Sequence, residues 1–398
     1  MVFNVLYWAF VFLRTSASGY TAQASGQADG RKTIRLLILL SGLSAFLSLV
    51  ILLLRVPIID TTLRLVDAGT GLKALVRSYF LVRIWMIPAF LLLQTFKGWL
   101  IGMQNMVVAM VLTVLVSVLN ILFNLLFVFR LQLELEGVAW AAVTAYTVTA
   151  FTGICIVAHK YHSLFALVGA ADLKAVLHLD RAGIRRLTTF MRANLDIFLR
   201  SVCILAVTSF TPIAGACFGE ETLASNTILL YYFTAFSYVI NGFAYVGESL
   251  SGKYLGASEH ATLRFTVRRL FQWGVALSLL FTAGYTLFGR RMLDMFTNES
   301  SVVETAAKFF GWIPLLPLLC FASFVWDGIL VGTTDFRTLR NSRILAAILF
   351  FASFYAFRRL LQNNALWLAL TLYHVASSLY PFRAARCRFL ITNIFNPR

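Results

Sequence analysis

Hydrophobic residues in this chain come in long runs that are separated by short polar and charged stretches. A run of about 20 apolar residues, wound as an α-helix, spans the roughly 30 Å of hydrocarbon in a bilayer. Eleven runs have about this length, and each predicts a transmembrane helix. They cover residues 2–24, 34–57, 78–103, 106–129, 136–158, 190–218, 222–250, 265–289, 305–332, 343–361 and 364–385.

Composition supports an all-α integral membrane protein. The chain is 60% hydrophobic and only 13% charged, whereas a soluble domain is about half apolar and about a quarter charged. No run alternates as the strands of a membrane barrel do. The five cysteines form no CxxC pair, and no zinc-protease, phosphate-loop or nucleophile-elbow motif occurs. We therefore expect neither an enzyme, nor a metal site, nor a cofactor.

The net charge of +17 is distributed between the apolar runs and forms no single stripe, so we expect a lipid bilayer and no nucleic acid as partner. If the loop at 25–35 faces the cytoplasm, the loops on that side carry 19 Lys and Arg against 5 acids. The opposite side carries 10 and 9. Cytoplasmic loops of membrane proteins are rich in Lys and Arg, which predicts a cytoplasmic C-terminus.

An internal repeat relates the two halves of the chain. Residues 98–102 (GWLIG) correspond to 328–332 (GILVG) at an offset of 230, as residues 26–29 do to 256–259. Near the end of each half the offset becomes 227, where Trp140 corresponds to Trp367. Such a repeat is typical of transporters. The second half begins with a helix that has no counterpart in the first, which predicts six helices per half with the first one missing here.

The repeat divides the chain into an N-terminal lobe of five helices (1–158), a cytoplasmic linker (159–189) and a C-terminal lobe of six helices (190–398). Apolar residues at helical spacing in the linker predict a helix at the membrane interface, and a plain flexible loop is the alternative. These residues are Leu173, Val176, Leu177, Ile184 and Leu187.

Three acids lie within the predicted spans, where an ionisable group costs a few kcal/mol or more and so indicates a function. Asp327 is the strongest candidate, because it follows Pro314 and Pro317, and prolines bend helices near transporter sites. Glu248 could take part in transport, or its side chain could extend from the end of its span to the membrane interface. Asp196 precedes Arg200 by four residues, so a local ion pair is the alternative to a transport role.

Other polar groups in the spans leave two interpretations open. Lys97 lies at the repeat position of Asp327 and could serve the site or extend to the interface. Asn120 and Asn124 share a helix face. They could form interhelical hydrogen bonds or line a cavity. The same alternatives apply to Asn226, Asn241, Thr21 and Gln23.

Several stretches, in order along the whole chain, resemble the multidrug and toxic compound extrusion (MATE) transporters, especially the branch named for DNA-damage-inducible protein F. They are Phe12–Arg14 with Thr21–Ala24, Asp196–Ser201, Asn241–Tyr245 with Glu248, Asp327–Gly332, Arg340–Ser342 and Ala365–Leu370. The resemblance implies two six-helix lobes in a V, in the bacterial inner membrane. It also implies export of small amphipathic or cationic compounds by a monomer, driven by H⁺ or Na⁺, with Asp327 among the coupling carboxylates.

Three departures from the family pattern concern this coupling. The family's first helix, which carries an acid, is missing. Asn124 stands where the family has Asp, and an amide does not titrate. Asn241 also replaces an acid that is frequent in the branch. Our preferred hypothesis is a cation-coupled exporter working by alternating access, with Asp327, Glu248, Asp196 and Arg200 as coupling residues. The alternatives are a lipid-linked saccharide flippase of the same superfamily and a non-transporting remnant.

Overall fold

A computed structural model describes residues 3, 7, 10–65, 69–169, 181–297 and 299–387, and every regular element in them is helical. The chain separates into two compact units, Met1–Phe190 and Met191–Arg398. The first contains α1 (Val11–Gly26), α2 (Gly30–Leu53), α3 (Arg55–Leu65), α4 (Thr70–Arg83), α5 (Ile87–Gly102), α6 (Met106–Asn124), α7 (Glu134–Lys160) and α8 (His162–Phe165). A helix from Arg181 to Ala216, α9, leads into the second unit.

The second unit continues with α10 (Glu220–Gly256), α11 (His260–Phe296), α12 (Ser300–Phe309), α13 (Leu315–Gly332), α14 (Phe336–Leu361) and α15 (Asn363–Cys387). Within the described residues, each of the eleven predicted spans is mainly helical. In the described part of the chain, nine helices are long and apolar enough to cross a membrane. The remaining two predicted spans are α1, with 16 described residues, and α15.

The expected domain boundaries at 158/159 and 189/190 stay a prediction. Of the linker's proposed interfacial helix, Leu173, Val176 and Leu177 lie outside the described residues, as do the side chains of Ile184 and Leu187.

The predicted span at 305–332 is not one continuous helix. A 3₁₀ turn at Phe310–Trp312 and Pro314, which precedes α13, separate α12 from α13. Proline disfavours the helical conformation of the residue before it and has no N–H to donate, so the helix restarts behind it. The corresponding segment of the first unit has a 3₁₀ turn at Ile84–Met86 before Pro88. Among the described residues, most positions of the helix that follows the break are buried in both units.

The internal repeat is confirmed by the packing of α5 on α1 and of α13 on α10. A Cβ atom added to Gly98 would lie 2.2 Å from the Arg14 carbonyl oxygen. One added to Gly328 would lie 2.0 Å from the carbonyl oxygen of Ala244, the repeat partner of Arg14. Gly102 lies against the Ser18 carbonyl oxygen, and Gly332 lies against the Glu248 carbonyl oxygen. Both residues of the second pair are 230 positions after those of the first. Glycine is required because the helix backbones touch.

The turns repeat as well. Positive φ angles, which are uncommon for residues other than glycine, occur at three pairs of positions that are 230 residues apart. The pairs are Ala28 and Ser258, Gln104 and Thr334, and Gln132 and Gln362. After the third pair, α7 begins two residues beyond Gln132, whereas α15 begins directly after Gln362. This longer connection lies where the sequence offset changes from 230 to 227.

Many apolar side chains stay exposed on the helices. Along α6, for example, Val107, Met110, Val114 and Ile121 are between about half and two-thirds exposed. Such faces are stable in lipid, where apolar exposure carries no penalty and helices satisfy their own backbone hydrogen bonds. The chain is a multi-pass membrane protein.

Candidate functional site

Asp327 lies in the interior of the second unit on α13, and its side chain is 17% exposed. Its neighbours in sequence fix its position: Trp326 is buried, and Gly328 lies against the backbone of α10. The prolines at the start of α13 make this helix begin at Leu315, and Asp327 follows after about three turns. The carboxylate is therefore fixed within the bundle and does not lie at its surface.

Two arginines from different helices bind this carboxylate. Arg200 Nη2 of α9 donates to Asp327 Oδ2 at 2.7 Å, and Arg343 Nη2 of α14 donates to the same oxygen. Arg343 is 4% exposed; it also donates to Ser377 Oγ on α15 at 3.3 Å and lies over the Tyr373 ring. A buried carboxylate is stable only when paired. Asp327 thus connects α9, α13 and α14, and Arg343 extends the connection to α15.

A second ion pair joins the same helices. Arg340 Nη1 on α14 donates to Asp196 Oδ1 on α9, and the guanidinium of Arg340 also donates to the Asn341 side-chain oxygen. The local pair of Asp196 with Arg200, considered from sequence, is wrong, because each of them has a partner on another helix. We name Asp196, Arg200, Asp327, Arg340 and Arg343 the ion-pair cluster; it holds two acids and three arginines.

Sequence reasoning did not select Arg340 and Arg343 as site residues, because Arg340 lies before the predicted span 343–361 and Arg343 is its first residue. In the structure α14 begins at Phe336, because Asp335 caps it by accepting a hydrogen bond from the Thr338 N–H. The signal was present in the spacing. Arg340 and Arg343 are three residues apart, so they share a helix face, as Asp196 and Arg200 do four residues apart.

Glu248 is buried inside the second unit. Only 2% of Glu248 is exposed, and α10 continues for eight residues beyond it. Its backbone oxygen lies against Gly332 of α13. His374, on α15, is also buried: its Nδ1 is 3.1 Å from Ser323 Oγ, and its ring stacks on Phe324.

Asn226 belongs to a buried amide pair. Its Nδ2 donates to Asn363 Oδ1 at 2.7 Å, Asn363 Nδ2 donates back at 2.9 Å, and Trp367 Nε1 also donates to Asn226 Oδ1. These bonds hold α10 to α15. The interhelical hydrogen bond considered from sequence forms at this position, and that Asn226 also lines a cavity stays a prediction.

We expect Asn226→Ala and Asn363→Ala each to lower the free energy of unfolding of the detergent-solubilised protein by about 1–3 kcal/mol, because each leaves a buried amide without its partner. The double variant should cost clearly less than the sum. Asn241→Ala is the control, since Asn241 Nδ2 donates within its own helix, to the Ser237 carbonyl oxygen. Additive losses would show that the pair is not coupled.

The remaining polar candidates lie in different surroundings. Asn124 Nδ2 donates to the Asn120 backbone and side-chain oxygens, so this pair bonds within one helix; it is half-buried at the point where a π-helix, Leu125–Arg130, begins. Thr21 is buried where α1 meets Gly102, and Gln23 is half-buried. That Asn120, Asn124, Asn241, Thr21 and Gln23 line a cavity stays a prediction.

The two units have residues of opposite charge at one pair of equivalent positions in the repeat. Lys97 of α5 is half-buried at the position equivalent to Asp327, beside Gly98. Arg14, on α1, donates to Thr15 Oγ1 at 3.3 Å. Among the described residues no group of three or more His, Cys, Asp or Glu is placed to hold a metal ion.

Comparisons with known proteins agree with this arrangement. The MatE family profile matches residues 1–126 and 197–357. DNA damage-inducible protein F of Escherichia coli K12 is 32% identical over 93% of this chain and 79% of its own length. A crystal structure of MATE in complex with MaL6 superimposes with a TM-score of 0.85 at 19% identity, covering 97% of this chain and 86% of the other. An outward-facing multidrug resistance MATE transporter of the MOP superfamily gives 0.83 at 18% identity, with the same coverage.

Proposed function

Because the chain belongs to the MatE family of multidrug and toxic compound transporters, we propose that it exports small amphipathic or cationic compounds in exchange for H⁺ or Na⁺. It would do so as a monomer in the bacterial inner membrane, with its C-terminus in the cytoplasm. The chain is a transporter and not an enzyme. The observation that carries the coupling proposal is the pairing of Asp327 with Arg200 and Arg343.

In the proposed mechanism, the coupling cation and the two arginines compete for one carboxylate. While Asp327 is charged, it holds α9 and α14 against α13. When a proton or a sodium ion neutralises it, two buried guanidinium groups lose their counter-charge and repel each other, which strongly disfavours this packing. The helices then adopt a second arrangement, and the bound compound is released outward. Alternating access needs such a bistable element.

Glu248 and Asp196 have supporting roles in this proposal. Glu248 lies at the contact of α10 with α13, so a change in its charge would alter the packing of the helix that carries Asp327. Asp196 pairs with Arg340, which lies on the same helix face as Arg343. This pairing keeps Arg340 from competing with Arg343 for Asp327.

We expect Asp327→Asn to abolish proton-dependent efflux, because an amide can neither release nor bind the coupling cation. The measurement is ethidium accumulation in an efflux-deficient bacterial host, with and without a proton uncoupler. Wild type should lower accumulation until the uncoupler is added, and the variant should match the empty host. Asp60→Asn is the matched control: it removes an acid from an exposed pair with Arg77, at 3.4 Å.

The amount of folded protein in the membrane must be measured beside efflux, since Asp327→Asn also leaves two arginines unpaired. Retained uncoupler-sensitive efflux in Asp327→Asn would remove this residue from the coupling mechanism. A sodium-gradient version of the assay distinguishes Na⁺ from H⁺ as the driving ion.

A lipid-linked saccharide flippase is the second candidate, favoured by the surplus of arginine in the ion-pair cluster and by Lys97 at the position of Asp327. The diphosphate of such a lipid needs cations. Uncoupler-insensitive flipping of a fluorescent lipid-linked diphosphate in vesicles, with no ethidium efflux, would favour this function. Absence of both activities in well-folded protein would favour the non-transporting remnant.

A further inference from the structure

The hydroxyl group of Tyr373, on α15, is buried in the second unit and takes no part in the hydrogen bonds of the ion-pair cluster. The residue is 4% exposed, and no group in the described part of the chain forms a hydrogen bond with this oxygen. A buried hydroxyl without a partner is unfavourable, because it loses its hydrogen bonds to water and gains none in the protein. The position therefore points to a partner that the hydroxyl meets in another arrangement of the helices.

Tyr373 lies against the guanidinium of Arg343. The guanidinium carbon is 5.4 Å from the centre of the Tyr373 ring, and the hydroxyl is close enough to the guanidinium for the two groups to interact electrostatically. Arg343 uses Nη2 on Asp327 and Nη1 on Ser377, whereas its Nε is buried with no acceptor among the described residues. An unused donor of Arg343 and an unused hydroxyl oxygen of Tyr373 thus belong to the same contact.

The remaining neighbours of Arg343 are weaker replacements for its carboxylate partner. Ser377 Oγ already accepts from Nη1 at 3.3 Å. Cys203 on α9 and Cys320 on α13 also lie near this guanidinium, but thiols are weak acceptors. A phenolic oxygen accepts as well as donates, and that of Tyr373 is not engaged, so it can take the place of Asp327.

We propose that Tyr373 is the alternate partner of Arg343: when Asp327 loses its charge, the guanidinium turns from the carboxylate to the Tyr373 hydroxyl. The proposal deepens the coupling mechanism of the proposed function and rests on it. A hydrogen bond to a charged group is about twice as strong as one between neutral groups, so Tyr373 stabilises the state in which the arginines have lost their counter-charge. Tyr373 is therefore a positioning residue that acts through Arg343 and does not bind the coupling cation.

A double-mutant cycle in purified protein tests this contact without transport. Tyr373→Phe keeps the ring beside Arg343 and removes only the oxygen, so in the wild-type chain the melting temperature should stay unchanged or rise slightly. In the Asp327→Asn chain, where one neutral amide faces two arginines, the same substitution should lower the melting temperature by about 4 °C or more. Equal shifts in the two chains would overturn the proposal.

Tyr285→Phe is the matched control for this cycle. Tyr285 is also buried, and its hydroxyl donates to the Tyr232 carbonyl oxygen at 2.7 Å, outside the ion-pair cluster. Loss of this bonded oxygen should lower the melting temperature equally in the wild-type and Asp327→Asn chains, because the two sites share no partner. A loss at Tyr285 that depends on Asp327 as strongly as the loss at Tyr373 would identify a general loosening of the unit and contradict the proposal.

Efflux by the single variant gives a second readout, which does not require Asp327→Asn to fold. Tyr373→Phe should lower the maximal rate of uncoupler-sensitive ethidium efflux at least about fivefold. The ethidium concentration at half-maximal rate should change little, because the hydroxyl acts on the helix rearrangement and not on the bound compound. An unchanged maximal rate in folded Tyr373→Phe would overturn the proposal. If the wild type shows no such efflux, the proposed function fails, and the melting-temperature cycle alone decides whether Tyr373 replaces Asp327 at Arg343.

Discussion

Gly328→Ala is expected to prevent stable folding of the second unit. The added Cβ would lie 2.0 Å from the Ala244 carbonyl oxygen and 2.8 Å from its carbonyl carbon, so the obstacle is backbone and not a movable side chain. Overpacking a core usually costs about 1–3 kcal/mol, and a clash with an opposing helix backbone should lie at or above that range. We expect most of the protein to aggregate on solubilisation, as judged by size-exclusion chromatography and thermal unfolding.

Gly284→Ala is the matched control for this clash. Gly284 lies within α11, and a Cβ atom there would have no heavy atom within 4 Å. Alanine is favoured over glycine in a helix by about 1 kcal/mol, so this variant should be as stable as wild type or slightly more stable. Gly98→Ala should fail as Gly328→Ala does, because it meets the Arg14 carbonyl oxygen in the first unit. A normal melting temperature for Gly328→Ala would mean that α13 can move away from α10.

Arg343→Leu is expected to give the second large effect. Removing one partner of a buried ion pair costs about 3–5 kcal/mol, because the remaining charge stays buried with less compensation. Asp327 would keep Arg200, so folded protein should persist at a reduced melting temperature. Efflux should fall to background, since Arg343 is one of the two groups that compete with the coupling cation in the proposed mechanism.

The control is Arg77→Leu, which removes an arginine that is about half exposed in its pair with Asp60. Exposed pairs contribute about 0–1 kcal/mol, so neither stability nor efflux should change measurably. Arg343→Lys separates charge from geometry, because lysine keeps the charge but loses the planar guanidinium that bonds Asp327 and Ser377 together. Wild-type efflux in Arg343→Leu would exclude this arginine from coupling.

Hydropathy was sufficient to predict the long apolar helices, because crossing a bilayer imposes a minimum length and an apolar composition on a helix. The repeat, too, could be read from residues 98–102 and 328–332, since touching backbones admit only small residues. The ion-pair partners, in contrast, could not be predicted from the sequence. Asp196 and Arg200 lie one turn apart, yet each bonds a residue of α14 or α13, and such distances depend on how whole helices pack.

Two other errors have local causes. Arg343 was overlooked because it is the first residue of the predicted span 343–361, where an arginine can reach the interface, whereas the Asp335 cap starts α14 early enough to bury it. In the span at 305–332 the prolines indicated a bend, whereas the structure has a full break: α12 ends at Phe309, a 3₁₀ turn follows, and Pro314 precedes α13. Glu248 similarly lies eight residues before the end of a helix that is much longer than its apolar run.

The matched left-handed turns at Ala28 and Ser258, Gln104 and Thr334, and Gln132 and Gln362 bear on the history of the chain. None of the six is glycine, although that conformation costs other residues roughly 1–2 kcal/mol. Two halves that arose separately would have no reason to share an unfavourable backbone at the same three places. Duplication of one unit accounts for the shared turns.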